Sequence, residues 1–220
     1  MMRMLALLLC TVIGVVSGQT PYDSLYLKSA VYRNLVGQQA LSRITSADIV
    51  FLGNSITYGG NWSELLGRER VVNRGIGGDN TVGMLHRLQY VYRLQPKLCF
   101  IMAGINDLYA DAPVATIVAN YTAIIDTLQA HRIAPVIQST LYVNPKWKRA
   151  AEKNLQVTEL NLRLKELAQQ RGLVFIDVNA VLSSGGMLSE QYTTDGVHLT
   201  HEAYARWREL LLSFLSTARY

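Results

Sequence analysis

A three-layer α/β/α sandwich around a five-stranded parallel sheet is the fold this sequence predicts. Two patterns carry that expectation: five short runs of β-branched and apolar residues, and amphipathic helical stripes lying between them. The 220 residues are half hydrophobic and 17% charged, which suits one compact domain and excludes disordered and low-complexity classes.

The elements follow in chain order. Met1-Met2-Arg3-Met4 is a short basic start, Leu5 to Val16 is apolar, and Val16-Ser17-Gly18 supplies small residues. Residues 1–18 therefore read as a signal peptide cut ahead of Gln19, with 19–220 as a single domain outside the cytoplasm, periplasmic or secreted. A lipoprotein signal at Cys10 is the weaker reading, because Leu9 stands where a small residue is needed. After cleavage no apolar run is long enough to span a bilayer. The formal charge falls from +5 to +4 with the loss of Arg3, and Cys99 is left alone as a buried thiol.

Strands are expected at Asp48–Leu52, Val71–Asn73, Leu98–Met102, Pro135–Thr140 and Val174–Val178. Several are almost wholly apolar, as parallel strands covered on both faces are. Ile117, Tyr121, Ile124, Ile125 and Leu128 form one helical stripe. Val157, Leu160, Leu164, Leu167 and Ala168 form a second, with Gly172 as its C-cap. Ala203, Trp207, Leu210, Leu211, Phe214 and Leu215 form a third, capped by Thr200. No linker-like stretch or repeat interrupts the order.

In open parallel sheets, chemistry gathers beyond the carboxyl ends of the strands. Four blocks lie at such positions: Gly53-Asn54-Ser55-Ile56-Thr57, Asn73-Arg74-Gly75-Ile76-Gly77-Gly78-Asp79, Ala103-Gly104-Ile105-Asn106-Asp107, and Thr194-Asp195-Gly196-Val197-His198-Leu199. A serine hydroxyl needs a base to take its proton, and the base needs an orienting group. His198 suits the first task for Ser55, and Asp195 the second. An oxyanion formed by attack needs preorganised donors, for which the Ser55 and Gly78 N–H groups and the Asn106 amide are candidates. Taken singly, Ser55 is a helix cap, Asp195 and His198 a surface turn, the glycines a tight turn, and Asn106 a loop amide. Their joint occurrence at successive strand ends favours catalysis.

In this order the four blocks resemble those of the SGNH (GDSL-type) hydrolases, over nearly all the mature chain. The resemblance implies a flavodoxin-like SGNH hydrolase fold and a serine esterase. It implies Ser55, Asp195 and His198 as catalytic residues, and Ser55, Gly78 and Asn106 as the oxyanion hole. Asn54 departs from the family's usual aspartate; its expected task is to hydrogen-bond the local turn.

Other chemistries fit less well. The glycines of 75–78 lack dinucleotide-binding spacing, no phosphate loop is present, and His198 and His201 have no further ligand nearby, so no metal or other cofactor is expected. The Gly-x-Ser-x-Gly elbow is absent. The basic charge is too dispersed for nucleic acid.

Specificity should come from the loops. Trp62, Tyr109, Trp147 and Tyr192 are candidate substrate-binding aromatics, suited to stacking on sugar-like ligands, or they merely pack those loops. Asn144-Pro145-Lys146-Trp147-Lys148-Arg149 is a solvated helix start or a seat for an anionic substrate. The blocks are also similar to the platelet-activating-factor acetylhydrolase-like branch, which implies short acyl groups. The expectation is an O-acetylesterase acting on a glycan or small ester. The alternatives are a lysophospholipase or acyl-thioesterase with the same triad, and a non-catalytic glycan-binding protein on the same scaffold. Oligomeric state is not legible in the sequence.

Overall fold

The computed structural model describes residues 22–217; the expected leader and its cleavage point lie outside them. The chain enters through two helices absent from the sequence expectation, α1 (Leu25–Lys28) and α2 (Ala30–Leu41). It then runs β1 (Ile49–Gly53), α3 (Ser55–Tyr58), α4 (Trp62–Leu66), β2 (Val71–Gly75), α5 (Thr81–Leu85), α6 (Gln89–Tyr92) and β3 (Leu98–Met102). Next come α7 (Ile105–Tyr109), α8 (Val114–Ala130), β4 (Ala134–Gln138), α9 (Ala150–Arg171), β5 (Val174–Ile176) and α10 (Asn179–Leu182). A small antiparallel hairpin of β6 (Ser183–Ser184) and β7 (Met187–Leu188) follows, with the last helix, α11, at His201–Thr217.

The five main strands are parallel, in the order β2-β1-β3-β4-β5. The expected three-layer fold is present, with every strand found within a few residues of its anticipated place. Burial explains the pattern: all of β1 and β3 is buried, so both faces must be apolar. The stripes Ile117–Leu128 on α8 and Val157–Ala168 on α9 are buried, and Gly172 ends α9 in a left-handed conformation, φ 62°. On α11, Ala203, Trp207, Leu211 and Leu215 are buried, and Thr200 Oγ1 accepts the Ala203 N–H at 3.4 Å. Cys99 is a buried free thiol whose pKa burial pushes up to about 12.

The strand order fixes the position of the site. Successive connections leave β1 toward β2 and later return past it to β3, so the direction of winding reverses between β1 and β3. A crevice opens at such a point because the loops there diverge to opposite sides of the sheet. Ser55 follows β1 and Asn106 follows β3, one on each side of that crevice.

Candidate active site

The nucleophile turn is built by side chains acting on backbone. Asn54 caps α3, its Oδ1 accepting the Ile56 N–H at 3.0 Å, which is the local turn role expected of it. Ser55 is thus the first helical residue, where its own N–H has no intrahelical acceptor. Gly75, at the end of β2, lies so close to α3 that a Cβ there would collide with the Tyr58 backbone nitrogen. Trp62 closes the turn from beneath by donating Nε1–H to the Thr57 carbonyl at 2.8 Å.

Asp195 and His198 sit on one compact turn before α11. Asp195 Oδ1 accepts the backbone N–H of Val197 at 2.9 Å and of His198 at 2.8 Å. Its Oδ2 faces His198 Nδ1 at 2.6 Å. A carboxylate only accepts here, so Nδ1 carries the proton and Nε2 is left as an acceptor. Nε2 lies 3.1 Å from Ser55 Oγ, completing a chain from two distant parts of the sequence. Burial raises the Asp195 pKa, but the hydrogen bonds from the His198 ring and from the His198 and Val197 amides outweigh it, bringing the group down to about 2. Both side chains remain nearly half exposed, 41% for Asp195 and 48% for His198, so the cleft is open.

Donors face the same cleft from the other side. Gly78 takes a left-handed conformation, φ 75°, accessible to glycine at little cost, and its N–H has no partner among the described residues. Asn106 gives one amide proton to the Asp79 carbonyl at 2.8 Å and keeps the other. With Ser55, His198, Gly77 and Gly78, Asn106 lines a cleft of about 390 Å³. The arrangement suits removal of a hydroxyl proton next to donors that stabilise a developing oxyanion.

The donor loop rests on buried charges that hydrophobic periodicity does not reveal. Arg87, fully buried, pairs with Asp79 at 2.8 Å and donates to the carbonyls of Arg74 at 2.7 Å and Gly53 at 3.0 Å. Burial pushes Asp79 up to about 6 against the pull of Arg87. Asp107, buried beside Asn106, accepts hydrogen bonds from the Thr81 amide at 2.9 Å and from the hydroxyls of Thr81 and Tyr22. Burial raises its pKa more than those bonds lower it. Nothing in the sequence marks these polar residues as interior; only their nearness to the glycine and asparagine blocks hints at a role.

The four candidate aromatics separate. Tyr109 and Trp147 line the cleft. Trp62 does not: it is 1% exposed, stacked on Phe51 with centroids 4.2 Å apart and packed edgewise on Trp207, so its indole belongs to the core. Tyr192 is half-buried against the core and also lies off the cleft; its carbonyl accepts the Thr200 N–H at 3.1 Å, tying the start of the Asp195 turn to its end. Tyr109 reaches across the rim, its hydroxyl donating to the Lys148 carbonyl at 2.6 Å. The Trp147 loop also packs on the acid–base turn, with the Asn144 N–H donating to the Gly196 carbonyl at 2.8 Å. His201 is exposed beside Glu202, and no cluster of three or more His, Cys, Asp or Glu with metal-binding proximity occurs among the described residues.

Residues 51–206 match the sequence model of the GDSL-like Lipase/Acylhydrolase family. The N-acylneuraminate cytidylyltransferase of Streptococcus agalactiae serotype III (strain NEM316) is 28% identical over 160 residues, 71% of this chain and 36% of that protein. The chain thus spans about a third of the length of the curated relatives it matches. An acylhydrolase-like protein from Bacteroides fragilis NCTC 9343 is similar in structure, with a TM-score of 0.72 and 28% identity over 84% of this chain and 95% of that one. A GDSL-like lipase from Bacteroides thetaiotaomicron VPI-5482 shares the fold at TM-score 0.75 and 24% identity, covering 86% of this chain and 98% of that one. An acetyl xylan esterase shares it at TM-score 0.66 and 20% identity, over 76% of this chain and 98% of that one. The family match runs from β1 through the Asp195–His198 turn into α11, and the chain belongs to the GDSL-like lipase/acylhydrolase family of ester hydrolases.

Proposed function

We propose that this chain is an O-acetylesterase that removes short acyl groups from a carbohydrate or small ester outside the cytoplasm, with Ser55 as nucleophile. The observation that carries the reading is the linear contact chain Ser55–His198–Asp195, at 3.1 and 2.6 Å, facing unspent donors on Gly78 and Asn106.

In this mechanism the Ser55 hydroxyl attacks the ester carbonyl while its proton passes to His198 Nε2. The negative charge that forms on the carbonyl oxygen is held by the Ser55 and Gly78 amides and the free Asn106 N–H. Asp195 stays ionised and stabilises the imidazolium. Collapse of the intermediate expels the alcohol, which takes the proton from His198 and leaves the acyl group on Ser55. Water, deprotonated by His198, then attacks that acyl-enzyme, and the same donors act a second time before the acid leaves.

A short acyl group is favoured by the modest cleft volume, about 390 Å³, and a sugar by the aromatic rim of Tyr109 and Trp147. The name of the Streptococcus agalactiae relative concerns N-acylneuraminate, itself a sugar, and one neighbour in fold is named an acetyl xylan esterase. Both agree with a carbohydrate substrate. The match covers 36% of that relative, and nucleotidyl transfer is not chemistry that the Ser55–His198–Asp195 chain performs.

The test is acetate release from a panel of O-acetylated sugars by wild-type protein and Ser55→Ala. The reading fails if neither these nor p-nitrophenyl acetate is hydrolysed. Export is tested by N-terminal sequencing of the protein from the extracytoplasmic fraction, with Gln19 expected first.

A second reading, a lysophospholipase or thioesterase, has one observation in its favour. A groove of about 720 Å³ lies on the far side of Trp147, where Leu155 and Met187 stand 75% and 42% exposed. A rate that climbs from acetyl to palmitoyl esters supports that reading over the first.

A further inference from the structure

We infer that Lys148 selects esters whose alcohol portion carries an anionic group, so that the substrate of the proposed esterase is an acidic glycan ester. The inference rests on the esterase reading and narrows its substrate class.

Lys148 is the one residue of formally charged type, Lys, Arg, Asp or Glu, among the described residues that line the cleft with Ser55, Asn106 and His198. The cations on either side of it are already neutralised. Lys146 is paired with Glu190, and Arg149 makes hydrogen-bonded pairs with both Asp111 and Glu152. Lys153, buried behind the rim, is also paired with Asp111 at 2.7 Å. Lys148 itself has no carboxylate within ion-pair reach among the described residues. The nearest catalytic carboxylate, Asp195, is occupied by the His198 ring and two backbone amides.

Position matters as much as charge. The Lys148 backbone is held, its carbonyl accepting the Tyr109 hydroxyl at 2.6 Å, and the preceding Trp147 is fixed by a turn in which its N–H donates to Asn144 at 2.9 Å. The ammonium is therefore carried by a backbone fixed at the rim, on the residue next to Trp147. An aromatic side chain and an unpaired cation on successive lining residues match a sugar ring bearing a carboxylate, sulfate or phosphate: the ring stacks and the anion pairs. The adjacent ion pairs leave that ammonium as the local excess charge, so an anion entering the cleft is drawn to it rather than to the rim at large.

The probe is a matched pair, the O-acetylated methyl glycoside of a hexuronic acid and its primary uronamide, which differ in charge and little in shape. Sulfated and phosphorylated O-acetyl hexosides are compared with their unsubstituted parent to identify the preferred anion. Wild-type protein is expected to favour the anionic member by about five-fold in kcat/KM, the scale of one partly exposed ion pair, with the preference shrinking in high salt. Lys148→Gln should bring the ratio near one, Lys148→Arg should restore it, and Lys148→Glu should invert it. A wild-type ratio near one for every pair, or a ratio unchanged in Lys148→Gln, overturns the inference. Calorimetric affinity of Ser55→Ala protein for the deacetylated acid and amide repeats the comparison without turnover. Equal affinities there overturn the inference even if ester hydrolysis stands. A Lys148-dependent preference without any hydrolysis upholds it and overturns the esterase reading instead.

Discussion

Asn106 spends one of its two amide protons on the carbonyl of Asp79, 2.8 Å away, and so ties the donor that follows β3 to the residue that follows Gly78. Two candidate oxyanion donors from different strand ends are thereby held in one register. The bond also fixes which Asn106 proton is left for the cleft.

That relationship gives the first prediction. Asn106→Ala should lower kcat by about 10²- to 10³-fold with little change in KM, because the lost donor acts mainly on the charge that develops during reaction. Steady-state kinetics on p-nitrophenyl acetate reads it. A rise in KM of that size with kcat unchanged would assign Asn106 to substrate binding.

The second concerns pH. Asp195 is held down to about 2, below the usual carboxylate value near 4. It should therefore stay charged across the whole acid limb of the pH–rate profile above pH 4 and contribute no proton uptake there. Activity should fall toward acid with unit slope in log kcat/KM; a slope of two would mean that Asp195 titrates in the same range. The lowered carboxylate value also contributes stability that is present above the ordinary value and lost as pH drops toward 2.

The third tests the buried support. Arg87→Met removes the partner of Asp79 and takes the guanidinium donors from the carbonyls of Gly53 and Arg74. A cost of about 3–5 kcal/mol is expected on denaturant unfolding. The double change with Asp79→Asn should cost less than the sum, since the stranded charge is gone.

The fourth separates the two tryptophans. Trp62→Ala should destabilise the fold by about 3–5 kcal/mol. Trp147→Ala should lower the unfolding midpoint much less than Trp62→Ala and raise KM for sugar esters. A stable Trp62 variant with altered KM would return that residue to the substrate site.

These two residues also mark how far the sequence could be read. The parallel strands and helical stripes were legible because burial imposes a period on them, Ser55, Gly78 and Asn106 because they follow strand ends, and Asp195 and His198 because they share one short turn ahead of the last helical stripe. Trp62 and Trp147 both look like loop aromatics in one dimension. Only the third dimension sets Trp62 on Phe51 and Trp147 over the cleft. Arg87, Asp107 and Lys153 were opaque for the opposite reason. A charged residue normally faces water, and its partner, 8 residues away for Arg87 and 42 for Lys153, cannot be found by periodicity. The helices at 25–41 were missed because α2 buries little of its surface, Tyr32 and Gln39, and so shows no apolar stripe.

The most direct measurement is covalent labelling with a p-nitrophenyl organophosphonate followed by peptide mass spectrometry. One phosphonate should be found per chain, on Ser55, with loss of activity in proportion and much slower labelling of His198→Ala protein. Full activity after exposure, or a label on another residue while Ser55 stays free, would contradict the account.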